Sequence, residues 1–124
     1  MTQEEKDLLL KDLCARLPYG VKLHCYSNAM VCIGPYTLDT IVLDRIFNED
    51  TEYVLFDEIK PYLLPMSSMT EEQKDEFIDT CTFLRDDTFG WTDRTFDWLN
   101  KNHFDYRGLI PMGLANNATG LNLY

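Results

Sequence analysis

Leucines at positions 9, 13 and 17 repeat every four residues, with Leu10 and Cys14 beside them and Glu4, Glu5, Lys11 and Asp12 largely on the other side. Residues three and four apart share one face of a helix, so this spacing predicts a helix over 2–17. Thr2 and Glu5 have the spacing of a capping box, in which each side chain satisfies the other's backbone N–H. Pro18 and Gly20 end the element. From Val21 the period falls to two. Val21, Leu23 and Cys25 alternate with Lys22, His24 and Tyr26, the pattern of a half-buried strand. Ser27-Asn28 is turn chemistry, and 29–33 is expected to pair back as a hairpin arm. Gly34-Pro35 turns the chain again. Residues 36–47 and 53–59 read as further strands, the first with a run, Ile41-Val42-Leu43, that is apolar on both faces. Pro61 and Pro65 are expected to close a strand region of 21–62. Short polar turns between consecutive strands predict an antiparallel meander of about four strands.

The helical period returns after Met66–Met69. Thr70 and Gln73 make a second capping box, and Phe77, Cys81 and Leu84 form the apolar stripe of a helix over 70–85. Its outer face, with Glu72, Asp75, Glu76 and Asp79, is acidic and solvated. A third helix is expected over 92–103, capped by Thr92, with Asp93 at the positive end of the dipole. Phe96, Leu99 and His103 share one face, while Asp97, Asn100 and Lys101 fall largely on another. Gly108 and Pro111 leave 104–124 as an irregular arm. The expected fold is α+β, one domain of 1–124, with the two later helices packed on one face of the meander.

Composition narrows what such a domain does. The 124 residues carry a net charge of −10, and the eleven Lys and Arg are scattered. A phosphate backbone is repelled by that surface, so direct nucleic-acid binding is not expected. Mimicry of a nucleic acid wants denser acid than this. No apolar run approaches the ~20 residues of a membrane span. The start, MTQEEKDLLL, lacks the cationic and apolar regions of a secretory signal, which places the expected site of action inside the cell. In a reducing compartment Cys14, Cys25, Cys32 and Cys81 read as thiols used as small core residues. Cys25 and Cys32 with His24 lack a recognised zinc spacing, so neither metal nor cofactor is expected.

Glycine-rich phosphate loops, G-x-S-x-G and H-E-x-x-H are absent from the sequence. The densest chemistry is His103, Asp105, Tyr106 and Arg107, flanked by Trp91 and Trp98. A histidine, an acid, a phenol and a guanidinium within five residues can grip an anionic small molecule or a nucleotide, or move a proton through His103. The same residues also suit a helix end whose His and Arg satisfy the dipole. Leu109–Leu114 and Leu121–Tyr124 are apolar stretches that a small core need not cover, and are expected against a partner or a second subunit.

Two stretches carry a resemblance. KPYLLPMSSMTEEQ (60–73) and FDWLNKNHFDYRGLIPMGLA (96–115) resemble blocks found in small uncharacterised proteins of bacterial phages and mobile elements. The likeness spans roughly the last half of the chain. It implies a setting, the cytoplasm of a bacterial host, and brings no activity, cofactor or catalytic residue with it. The function expected from the sequence is a non-enzymatic accessory protein acting through a protein partner or self-association. The alternatives are a nucleotide or small-molecule binder built on His103–Arg107 and a small enzyme with His103 as acid or base.

Overall fold

The computed structural model describes residues 2–26, 36–39, 58–83 and 89–124. The leading helix α1 spans Gln3–Arg16. Its capping box is present: the Thr2 hydroxyl accepts from Glu5 N–H at 3.1 Å, and a Glu5 carboxylate oxygen accepts from Thr2 N–H at 3.2 Å. A 3-10 turn over Leu17–Tyr19 and Gly20, at φ 67°, reverse the chain. Glycine enters this left-handed region without the Cβ penalty.

Strand β1 is Lys22–Tyr26, β2 is Tyr36–Thr37 and β3 is Glu58–Pro65. β1 pairs antiparallel with both, placing Leu23 opposite Tyr36 and Pro61. The expected strand over 29–33, most of that over 36–47 and the start of that over 53–59 lie outside the described residues. Pro61 does not end the sheet as the sequence suggested. Ile59, Pro61 and Leu63 are buried in alternation with Lys60, Tyr62 and Leu64, which are half-buried. That burial outweighs the one ladder donor that proline lacks.

The sheet is mixed, which corrects the expected meander. β6 (Phe104–Asp105) and β7 (Asn116–Asn117) both run parallel to β3, at Leu64–Pro65 and Tyr62–Leu63 respectively. Both follow the helical segment, a connection long enough to return the chain in the same direction.

A 3-10 turn over Met66–Ser68 leads to helix α2, Glu71–Thr80, again with its capping box, Thr70 with Gln73. The expected helix to residue 85 stops five residues early. Cys81 is extended, and Thr82–Phe83 (β4) pairs with Phe89–Gly90 (β5). The carbonyl of Thr80 explains the stop. It accepts from the hydroxyls of Thr92 at 2.8 Å and Thr95 at 2.9 Å, so it is claimed by the next helix. That helix, α3, is Asp93–Lys101. The Thr92 hydroxyl, expected to cap it, points back to α2, while the Thr95 hydroxyl accepts Thr92 N–H at 2.9 Å. α3 buries Thr95, Leu99 and Asn100, whereas α2 buries no residue and leans on α3.

The core joins Leu9 and Leu13 of α1 to Val21, Leu23, Leu38, Ile59 and Leu63 of the sheet region. Leu109, Leu114 and Ala115 complete it. The segment 104–124 is therefore no free arm: Leu109 and Leu114 fill their own chain's core instead of a neighbour's. Fully burying a leucine is worth about 2 kcal/mol, which is enough to hold an otherwise irregular loop down. Cys14, read as a core thiol, is exposed, and Asp12, read as outward, is fully buried. Among the described residues no helix is long and apolar enough to cross a membrane.

Candidate functional site: an aromatic face over a buried ion network

Six rings touch in sequence along α2, the start of α3 and the strand that follows it. Phe77 meets Trp91 edge-on at 5.8 Å and Trp98 at 5.9 Å. Trp91 meets Phe96 at 5.4 Å and Tyr106 at 6.2 Å, and Phe96 meets Tyr106 at 5.5 Å, all edge to face. Trp98 stacks on the buried Phe104 at 5.6 Å and 13°. Such pairs add about 0.5–1.5 kcal/mol each beyond area burial. The cluster is graded in depth. Phe104 is sealed, Trp98 and Tyr106 are half-buried, and Trp91 and Phe96 remain 42 % and 41 % exposed. Phe96, expected on the inward face of its helix, is thus at the surface, while Asn100, expected on the polar face, is buried. The reason lies in Asn100 itself, whose Oδ1 accepts the Tyr106 hydroxyl at 2.9 Å.

Tyr106 links this face to a charged network below it. The Arg107 guanidinium donates to the Tyr106 hydroxyl at 2.7 Å, and from the same nitrogen to Asp12 Oδ1 at 3.4 Å. Asp12 Oδ2 accepts from Arg16 Nε at 2.8 Å, and Arg16 Nη2 donates to the Phe104 carbonyl at 2.6 Å. Both guanidiniums also lie near the Tyr106 ring, Arg107 at 4.7 Å and Arg16 at 5.3 Å from its centroid. Asp12 and Arg16 are fully buried, and Arg16 Nη1 has no partner. One carboxylate therefore serves two cations, an arrangement in which each added hydrogen bond offsets part of a large desolvation cost. The sequence reading missed Asp12 and Arg16. Their i,i+4 spacing on a helix was the available signal.

The four neighbours His103, Asp105, Tyr106 and Arg107 do not converge. Asp105 accepts Leu109 N–H at 2.8 Å and Ile110 N–H at 2.9 Å, closing the turn that delivers Leu109 to the core. His103 sits past the end of α3 with φ 64°, so it leaves the face of Phe96 and Leu99. Its carbonyl accepts Leu64 N–H at 2.8 Å. Its ring stacks on Tyr124 at 3.6 Å and 15°, and its Nδ1 is buried without a partner. Burial, reinforced by the charges of Arg16 and Lys22, pushes the imidazole down to about 4. The ring is neutral near pH 7. The Tyr124 hydroxyl bridges two strands, accepting Lys22 N–H at 2.8 Å and donating to the Tyr62 carbonyl at 2.8 Å. Burial moves it up to about 12.

Among the described residues no three of His, Cys, Asp and Glu gather as metal ligands would. The Cys25, Cys32 and His24 combination lies partly outside them. What the arrangement offers chemically is a hydrophobic surface with a rigid charged foundation. No family model, no curated protein and no solved structure matches the chain.

Proposed function

We propose that this chain is a non-enzymatic accessory binding protein, of the phage or mobile-element type its two sequence blocks resemble, acting in the cytoplasm of a bacterial host. It engages a protein partner through the aromatic face of α2 and α3. The observation that carries this reading is that Trp91 and Phe96 stay two-fifths exposed while packed edge-on into a ring cluster. Tryptophan held rigid at a surface is the side chain that most often anchors an interface. The flanks define the partner. α2 carries Glu71, Glu72, Asp75, Glu76 and Asp79 against Lys74 alone, and Asp93 and Asp97 flank Phe96 on α3. A surface presenting Arg or Lys fits both the carboxylates and the open ring faces.

The test uses a fluorescent six-arginine peptide followed by anisotropy. Saturable binding is expected that weakens as salt rises and falls about tenfold in the Trp91→Ala, Phe96→Ala double variant. Equal binding by the double variant would reduce the effect to net charge and remove the reading, as would no binding at all. A dimer in light scattering that the same double variant dissolves would put a second copy in the partner's place.

The anion-binding alternative loses its geometry. Arg107 is already bonded to Asp12 and Tyr106, and His103 is turned to Tyr124.

A further inference from the structure

We propose that the Tyr124 ring occupies, in cis, a slot for a small planar aromatic molecule bearing a hydroxyl, with residues 119–124 as the strap that covers it. Three walls of the slot are on the page. The His103 imidazole supplies a flat face, parallel to the occupying ring within 15° and 3.6 Å from it. Lys22 N–H and the Tyr62 carbonyl converge on one atom, each at 2.8 Å. Those two backbone groups need a single partner that both accepts and donates, which a hydroxyl does and a carbonyl or an ammonium does not. Beside the ring runs an open cleft of about 150 Å³, lined by Leu64, Ala118, Gly120, Asn122, Leu123 and Tyr124 itself. With the ring lifted, slot and cleft become one space with an apolar floor, a stacking wall and a polar end. That is the usual composition of a small-molecule site.

The strap is lightly held. Leu121 N–H bonds to the Ala118 carbonyl, and beyond it the hydrogen bonds of the strap are those of the Tyr124 hydroxyl. Leu121 is 51 % and Tyr124 45 % exposed. Gly120 and Asn122 both take positive φ, 79° and 55°, so the backbone here bends where a glycine and an asparagine permit it. By contrast His103 is fixed, its carbonyl bonded to Leu64 N–H in the sheet. It also keeps a buried, unpartnered Nδ1 and takes a left-handed conformation that is costly for a histidine. The slot is rigid and its present occupant is the movable part. The ligand's hydroxyl replaces that of Tyr124, and Arg16 and Lys22, the charges that bear on His103, favour an electron-rich ring.

The probe is 4-methylphenol, with toluene as the ring without the hydroxyl, titrated calorimetrically into Tyr124→Ala and wild-type protein. The variant is expected to bind one 4-methylphenol, about tenfold or more tightly than toluene. Wild type is expected to bind it about tenfold more weakly than the variant, because its own ring must leave first. The His103 ring proton signals should shift on binding. A variant folded by circular dichroism that ignores 4-methylphenol overturns the proposal. So does equal affinity of wild type and variant, or of the two probes. Should Tyr124→Ala fail to fold, Tyr124→Phe keeps the stack and gives up both hydrogen bonds. It should then admit 4-methylphenol several-fold better than wild type, and parity between the two overturns the idea.

Discussion

At the joint between α1 and β6 the chain buries a carboxylate and a guanidinium completely, while on the α2 and α3 side it leaves Trp91 42 % and Phe96 41 % exposed. The usual partition of charge outward and rings inward is reversed across one residue, Tyr106, whose ring belongs to the outer cluster and whose hydroxyl belongs to the inner network. The contrast teaches where each region's rigidity comes from. The inner network is held by directional bonds that fail together if one member is lost. The outer face is held by ring contacts that survive the loss of any one ring. A surface meant to bind needs side chains that are ordered without being buried, and anchoring them on a buried polar joint provides this.

The largest effect expected is at the joint. Asp12→Ala leaves Arg16 and Arg107 without their shared carboxylate, Arg16 being fully buried. Removing one partner of a buried pair costs about 3–5 kcal/mol, read as a drop in the urea midpoint. A loss below about 1 kcal/mol would mean that water reaches the guanidiniums and that the two regions do not differ as described.

Next is pH. His103 takes its proton at about 4 in the folded chain against 6.5 for the free side chain. Between those values the unfolded chain binds a proton that the folded chain does not, so stability falls as pH falls through that window and levels off below about 4. A gap of that size, at about 1.4 kcal/mol per unit, sets ~3 kcal/mol as the scale. Carboxylates titrate in the same range, so the comparison is with His103→Asn, whose side chain tolerates the positive φ. The variant's stability-versus-pH curve should be flatter between 6.5 and 4. Curves of the same slope would show that the imidazole is not kept neutral.

Much of this architecture was legible in the sequence, and what escaped has definite causes. The capping boxes at Thr2 and Thr70 and the Leu9–Leu13 stripe were readable because they are local, set by contacts three and four residues apart. The early end of α2 was not, because the Thr80 carbonyl is taken by Thr92 and Thr95, twelve and fifteen residues on. The parallel strands β6 and β7 were hidden for the same reason. They are two residues long, too short for a period to show, and their partner lies some 40–54 positions earlier, as in Leu64 opposite Phe104 and Tyr62 opposite Asn116. At the candidate site, Trp91, Trp98, Tyr106 and Arg107 were picked out by type and do meet or support one surface. His103 and Asp105 were grouped with them by adjacency alone, and a left-handed turn sends them elsewhere. Asp12 was assigned outward because a charged residue on an amphipathic helix usually is, and only a tertiary partner such as Arg107 reverses that.

A smaller effect tests the seam between the helices. The Thr95 hydroxyl, fully buried, accepts Thr92 N–H and donates to the Thr80 carbonyl. Thr95→Val keeps the shape and removes both bonds, at a cost of roughly 1–2 kcal/mol, with the Thr92 hydroxyl still holding Thr80. Loss of the near-ultraviolet tryptophan signal without global unfolding would show that this seam orients the rings.

The smallest stability effect is expected where the functional effect is largest. Trp91→Ala and Phe96→Ala each remove a ring that is already two-fifths in water and whose neighbours, Phe77 and Tyr106, are anchored independently through Trp98 and Asn100. Each should therefore shift stability by no more than about 1 kcal/mol, since little new surface is exposed and no polar group is orphaned. Binding of the cationic peptide should nonetheless weaken about tenfold in the double variant. The opposite result is informative too. If either substitution costs more than about 3 kcal/mol, these rings are core residues whose exposure is incidental, and the division between an inner joint that stabilises and an outer face that binds collapses.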